Sequence, residues 1–231
     1  MQNSSKDIRV LRNLFFLLFC CFGSTCLYTQ DAFLDRVPVN AFGLTLSGGF
    51  LKWYAEREAP SKTSSWDSGF RVGLGFESQN IWDLEALYSQ FRTTGRWRLK
   101  YNTLDLACHW LRYPTPYFAF QPYLGLRGAF IKQRLSPYRE EHLRAGGLLF
   151  GTDFEVRLWR SIALFSSFWG SALLGNKDVE SLSAQGGLKG IFPLYLRESV
   201  LSFTLAYEYT RWIHLHALTL QGISLLLRAD F

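Results

Sequence analysis

The fold class this sequence predicts is all-β: a transmembrane, antiparallel up-and-down β-barrel of about ten strands, preceded by a cleaved signal peptide. Three observations predict it: a series of alternating apolar and polar runs, a final run that reaches an aromatic last residue, and an export-type leader. An alternating strand carries one apolar and one polar face. A closed sheet of such strands leaves no backbone group unpaired in lipid.

The leader comes first. Leu14 to Gly23 is the longest apolar run, with Lys6, Arg9 and Arg12 before it and Ser24-Thr25-Cys26 after it. A basic start, a short apolar centre and small residues describe a signal peptide over residues 1–26, cleaved near residues 25 to 30. A buried helix of a soluble protein is the rival for this run, and those flanks count against it. Acylation of Cys26 is a minor alternative, because Gly-Ser-Thr precedes it in place of the usual Leu-x-Gly/Ala. Residues 27–42 form a short periplasmic segment and residues 43–231 the outer-membrane β-barrel. No apolar run reaches the roughly eighteen residues that a transmembrane helix needs.

Ten strands follow, near 43–55, 68–77, 81–92, 98–112, 117–132, 143–158, 162–174, 181–192, 199–211 and 217–231. In the second, Phe70, Val72, Leu74 and Phe76 oppose Arg71, Gly73, Gly75 and Glu77. In the third, Trp82, Leu84, Ala86 and Tyr88 oppose Asp83, Glu85, Leu87 and Ser89. The fourth sets Leu104, Leu106, Cys108 and Trp110 against Thr103, Asp105, Ala107 and His109. In the sixth, Leu148, Phe150, Phe154 and Val156 oppose Asp153, Glu155 and Arg157, and in the ninth Phe203, Leu205 and Tyr207 oppose Ser202, Ala206 and Glu208. The seventh and eighth alternate poorly. The last strand places Ile223, Leu225, Leu227, Ala229 and Phe231 on one face, and Phe231 is read as the barrel-closing terminus. Connections after even strands are mostly short, whereas residues 56–67, 133–142 and 175–181 after odd strands are longer and polar. Short periplasmic turns and longer outer loops are the bacterial pattern, and an even strand number puts both termini in the periplasm.

Apolar residues make up 48% of the chain, charged residues 19% and aromatics 17%, while mean hydropathy is close to zero. That balance suits strands with one apolar and one wet face. A soluble lipocalin-like barrel or β-sandwich would invert the faces. The leader, the terminal Phe231, and the sharing of one narrow face by glycines and charges decide against it. Trp53, Trp82, Trp110, Tyr117, Trp159, Tyr207 and Trp212 lie near strand ends and fit interfacial girdles.

The candidate site residues are the charges on the polar face: Arg71, Asp83, Glu85, Asp105, Arg127, Asp153, Glu155, Arg157 and Glu208, read as pore-lining. A basic residue facing lipid at the midplane costs about 2–4 kcal/mol, so these groups face water or one another. Either they form a constriction that sorts ions weakly, both signs being present, or they interlock as salt bridges in a closed interior. His214 and His216 lie two apart at the outer end, with Ser202 and Glu208 on the preceding strand, but no third metal ligand or catalytic constellation joins them. No catalytic residue, metal or cofactor is assigned. Cys20, Cys21 and Cys26 belong to or border the leader, so Cys108 is the one cysteine certain to remain and no disulfide framework follows. Loss of Lys6, Arg9, Arg12 and Asp7 with the leader lowers the net charge from +6 to +4. The basic residues are scattered, which argues against nucleic acid and for lipopolysaccharide or phospholipid headgroups. The expected partners are outer-membrane lipids including lipopolysaccharide, the barrel assembly machinery through the C-terminal strand, and small solutes or ions.

Several stretches carry a resemblance: 48–53, 69–76, 82–91, 121–131, 206–212 and 220–231, in that order. Together they resemble the Legionella-type pore-forming major outer membrane proteins, a family also found in environmental relatives of chlamydiae. The resemblance spans residues 48–231 and implies an outer-membrane barrel that conducts small solutes, although this chain is shorter than usual for the family. The expected function is a passive, porin-like pore or a structural envelope protein. The alternative is a small outer-membrane barrel enzyme that modifies lipid A or peptides.

Overall fold

The computed structural model describes residues 42–231 except 58–62, 79–81, 94–97, 111, 116, 137–138, 160, 194–199 and 216–217. The expected leader and, apart from Phe42, the expected periplasmic segment lie outside the described residues. The strands are β1 (Phe42–Arg57), β2 (Thr63–Ser78), β3 (Trp82–Arg92), β4 (Leu99–Trp110), β5 (Arg112–Thr115), β6 (Phe118–Ser136), β7 (Arg139–Trp159), β8 (Ile162–Gly175), β9 (Val179–Pro193), β10 (Val200–Ile213) and β11 (Thr219–Asp230). Each pairs antiparallel with its neighbour; β1 joins β11, and β4 joins β6, so the sheet closes. The four-residue β5 continues β4 along the same edge of β6, giving ten staves. Pro122, which has no N–H for a ladder, lies between the last β4 pair (His109↔Tyr123) and the first β5 pair (Arg112↔Phe120).

One row of paired residues starts at Gly43 and passes through Glu77, Asp83, His109, Tyr123, Gly151, Trp169, Ser183, Thr210 and Leu220. It returns to β1 at Ala55, twelve residues beyond its start. That stagger over ten strands tilts them by about 40°, within the range of closed barrels. At the closing seam the Leu44 N–H donates to the Phe231 carbonyl (3.1 Å) and the Phe231 N–H to the Leu44 carbonyl (2.9 Å).

Through most of the wall the apolar face is outside. Phe70, Val72, Leu74, Leu84, Leu104, Leu106, Leu124, Leu126, Leu148, Leu164, Leu205, Ile223, Leu225 and Leu227 are all exposed, while Ser89, Asp105, Arg127, Ser167, Ser202 and Glu208 are buried. At the end opposite the termini the pattern inverts. There Leu51, Trp53, Leu99, Tyr101, Ile131 and Leu143 point inward and are at most 3% exposed, while Lys52, Lys100 and His142 point outward and are exposed. The lower part is thus built for lipid and the distal part for water, with the hydrophobic core inside the distal barrel.

This inversion corrects two expectations. Of the expected loops, residues 56–57, 63–67, 175, 179–181 and most of 133–142 are strand, because the hairpins β1–β2, β6–β7 and β8–β9 run on past the lipid. Trp53 and Trp212 are not in the interfacial girdle; both lie in the interior core. Trp110, Tyr117 and Trp159, at the terminal end, do face outward and are exposed.

Candidate functional site

All nine predicted site residues stand on lumen-facing positions, and the fold sorts most of them into two polar layers. The alternation that turns leucines to lipid necessarily turns the intervening charges inward. In the middle layer, Arg71 on β2 reaches Glu208 on β10, its Nη1 donating to Oε1 (2.7 Å) and its Nη2 to Oε2 (3.1 Å). Its Nε donates to Ser89 Oγ at 3.0 Å. Arg127 on β6 grips Asp105 on β4 in the same forked way, Nε to Oδ1 and Nη2 to Oδ2, both 2.7 Å. Its remaining Nη1 donates to Ser181 Oγ (3.3 Å), which is in contact with Ser171 Oγ (2.7 Å). Planar guanidinium forks fit carboxylates on both oxygens, and such charge-assisted pairs are the strong ones.

Nearer the termini, His109 lies between two carboxylates, Nε2 at 3.7 Å from Glu85 and Nδ1 at 3.4 Å from Asp153. Its ring is 4.5 Å from that of Tyr123, and Ser167 donates to Asp153. Tyr123 fits because Gly151 opposes it: a Cβ at Gly151 would sit 2.4 Å from the Tyr123 ring. At the terminal rim Arg228 pairs with Asp230 (2.8 Å) and Asp83 (3.4 Å). Lys189 holds Glu155 at 2.9 Å, and Arg157, 3.9 Å from Glu155, is exposed at the edge.

A cavity of about 120 Å³ lies between these layers, lined by Arg71, Glu85, Asp105, His109, Arg127 and Asp153 among others, with Trp53 and Tyr101 also on its wall. That is room for a small cluster of waters. Beyond it, Trp53, Phe91, Leu99, Tyr101, Ile131, Leu143, Leu173, Val179, Trp212 and Leu220, contributed by nine of the strands, pack together with Leu218 just before β11. Edge-on and tilted ring contacts link Phe91, Trp53, Tyr101 and Trp212 at 5.7–6.0 Å. Gln133, Glu141 and Lys177 make a polar layer farther out, with Gln133 donating to Glu141 at 2.6 Å.

Sequence reasoning named both members of the Arg71–Glu208 and Arg127–Asp105 pairs but missed Arg228, the partner of Asp83, and Lys189, the partner of Glu155. Arg228 shares the inward parity of Ser224 and Asp230, so its role was readable from the last strand. Lys189 was obscured because Phe165 and Trp169 interrupt the polar face of β8, and because Glu180, Gly186 and Gly190 thin the apolar outer face of β9 opposite the inward Ser181, Ser183, Gln185, Gly187 and Lys189. The apolar cluster also had a signal: Trp212 shares parity with Glu208 and Thr210, and Trp53 with Ser47 and Gly49. Ser202, Glu208 and His214 are not brought together. Six residues of strand, about 20 Å, separate Ser202 from Glu208. Glu208 is held by Arg71, and His214 is exposed in the distal turn with φ 66°. His216 lies outside the described residues.

No protein-family model matches this chain, and no curated protein matches it. Solved structures similar to it are membrane barrels. The attachment invasion locus protein Ail of Yersinia pestis aligns over 82% of this chain and 98% of its own, at 11% identity and TM-score 0.41. Neisserial surface protein A aligns over 83% and 97%, at 13% identity and TM-score 0.39. The translocator domain of the autotransporter NalP from Neisseria meningitidis aligns over 85% and 90%, at 10% identity and TM-score 0.47. This chain's own closed pairing and apolar exterior decide its class. The chain is a bacterial outer-membrane β-barrel. Only a closed barrel or a helix satisfies its backbone in lipid, and barrels of this inside-out design belong to outer membranes.

Proposed function

We propose that this protein is a structural barrel of the outer membrane whose lumen is sealed toward the outside by its own side chains. The observation that carries the reading is the distal apolar cluster, whose members from nine strands are almost completely buried. A conducting lumen needs a continuous wet path, whereas tightly packed apolar side chains exclude water. The charges beneath it support the same reading, because Arg71–Glu208 and Arg127–Asp105 satisfy each other and leave no free charge to sort ions in the middle layer. The resemblance to pore-forming major outer membrane proteins is kept at the level of the barrel. Conduction by this chain requires Trp53, Tyr101 and Trp212 to separate. No catalysis is assigned, since Glu208 and Asp105 are both gripped on both oxygens and neither is free to act as a base. Swelling of proteoliposomes in small sugars tests the proposal: rates equal to protein-free vesicles are expected, and rapid swelling overturns it.

A further inference from the structure

Just above the apolar band, on the outer surface of β3, β4, β6 and β7, four basic residues stand side by side. Arg92 pairs across the sheet with Lys100, Lys100 with Lys132, and Lys132 with His142. Their chain neighbours Phe91, Leu99, Ile131 and Leu143 are buried inside, so the four point outward. Like charges directly opposite one another destabilise a sheet. The fold brings one carboxylate to this row: Glu140 is 2.5 Å from Lys132 and 3.6 Å from His142. Arg92 and Lys100 have no acidic partner among the described residues. Among the described residues, the row therefore carries an excess of positive charge that no other carboxylate neutralises.

The wall beneath it has a second feature. One outward step down, Arg144 lies with its guanidinium 5.4 Å from the Phe130 ring. One step further, Gly128 and Gly146 oppose each other and both are exposed. A Cβ on Gly128 would meet nothing nearer than the Leu104 carbonyl at 3.8 Å, and one on Gly146 nothing nearer than the Arg127 carbonyl at 3.7 Å. Exposed Leu104, Leu126 and Leu148 border this gap. A side-chain-free notch thus opens in the lipid-facing wall about 13 Å below the cations, four residues along the strand.

We propose that this column binds a phosphorylated, acylated glycolipid of the outer leaflet. Its phosphates meet Arg92, Lys100 and Lys132, and an acyl chain fills the notch at Gly128 and Gly146. Charge alone would suit any polyanion. The notch, aligned beneath the charges at the edge of the apolar band, selects an anion that carries a hydrocarbon chain. The proposal concerns the exterior and stands whether the lumen is sealed or open.

The test uses the full mature protein folded in detergent, with folding verified by heat-modifiable gel mobility. Binding of bisphosphorylated lipid A, of the same lipid dephosphorylated, and of inorganic pyrophosphate is titrated by native mass spectrometry. Bisphosphorylated lipid A is expected to bind at least about tenfold more tightly than either comparison ligand. Lys100→Gln with Lys132→Gln is expected to weaken it about tenfold or more, and Gly146→Phe, which fills the notch, by a similar factor. Lys52→Gln, on β1 away from the column, should leave binding unchanged. If the double variant does not fold, Arg92→Gln and Gly146→Phe carry the test. Equal binding by wild type and the charge variants overturns the proposal. Pyrophosphate binding as tightly as lipid A also overturns it, since that describes a patch for soluble anions.

Discussion

Replacing Arg71 with Met leaves the Glu208 carboxylate inside the barrel without its fork. Glu208 is 2% exposed and Arg71 12%, with donor–acceptor distances of 2.7 and 3.1 Å. Breaking a buried ion pair from one side costs about 3–5 kcal/mol, because the survivor's charge is left desolvated. The adjoining cavity admits a little water, which places this case at the low end, about 3 kcal/mol. Removing both charges is different. Arg71→Met with Glu208→Leu eliminates the need for a partner, and such swaps are often neutral or stabilising. The double variant is therefore expected to lie within about 1 kcal/mol of wild type; Glu208→Leu, which strands Arg71 instead, costs about 3 kcal/mol as well, so the coupling energy is about 5 kcal/mol. Reversible urea unfolding in lipid vesicles, followed by fluorescence of the chain's 8 Trp, measures all four proteins. If Arg71→Met alone unfolds within about 0.5 kcal/mol of wild type, Glu208 is already hydrated and the reasoning fails.

Two further outcomes follow from the wall. Leu225, on the outer face and paired across to Phe50 and Leu205, becomes costly as Arg by about 2–4 kcal/mol. In the same unfolding assay, a cost below about 0.5 kcal/mol would mean that this face does not meet hydrocarbon. Deleting Phe231 removes both backbone hydrogen bonds to Leu44 at the seam, a loss of about 1–3 kcal/mol and a lower yield of heat-resistant folded barrel. An unchanged melting temperature and yield would show that the barrel closes without its last residue.

The ten staves were legible because lipid and lumen impose opposite demands on successive residues, as in the pairing of Phe70, Val72 and Leu74 against Arg71 and Gly75. The strand ends on the distal side were not, because the demand reverses there. Lys100 and Lys132 outside and Leu99 and Ile131 inside read as a broken membrane pattern, although they continue the same strands. The charged candidates were found from their parity, but parity gives a face and not a partner. Arg71 and Glu208 lie 137 residues apart and meet across the lumen only once β1 and β11 have closed the wall between them. Trp53 and Trp212 were misplaced for a related reason: aromatics near strand ends suit an interface, and only their parity with Gly49 and Glu208 turns them inward.

Planar-bilayer conductance tests the sealed lumen most directly, comparing the folded wild type with Trp53→Ala/Trp212→Ala. Each truncation removes a nearly fully buried indole from the distal cluster, at a stability cost of about 3–5 kcal/mol. The account predicts a silent wild type and discrete current steps from whatever double variant folds. Reproducible steps from the wild type, equal to those of the variant, would contradict it.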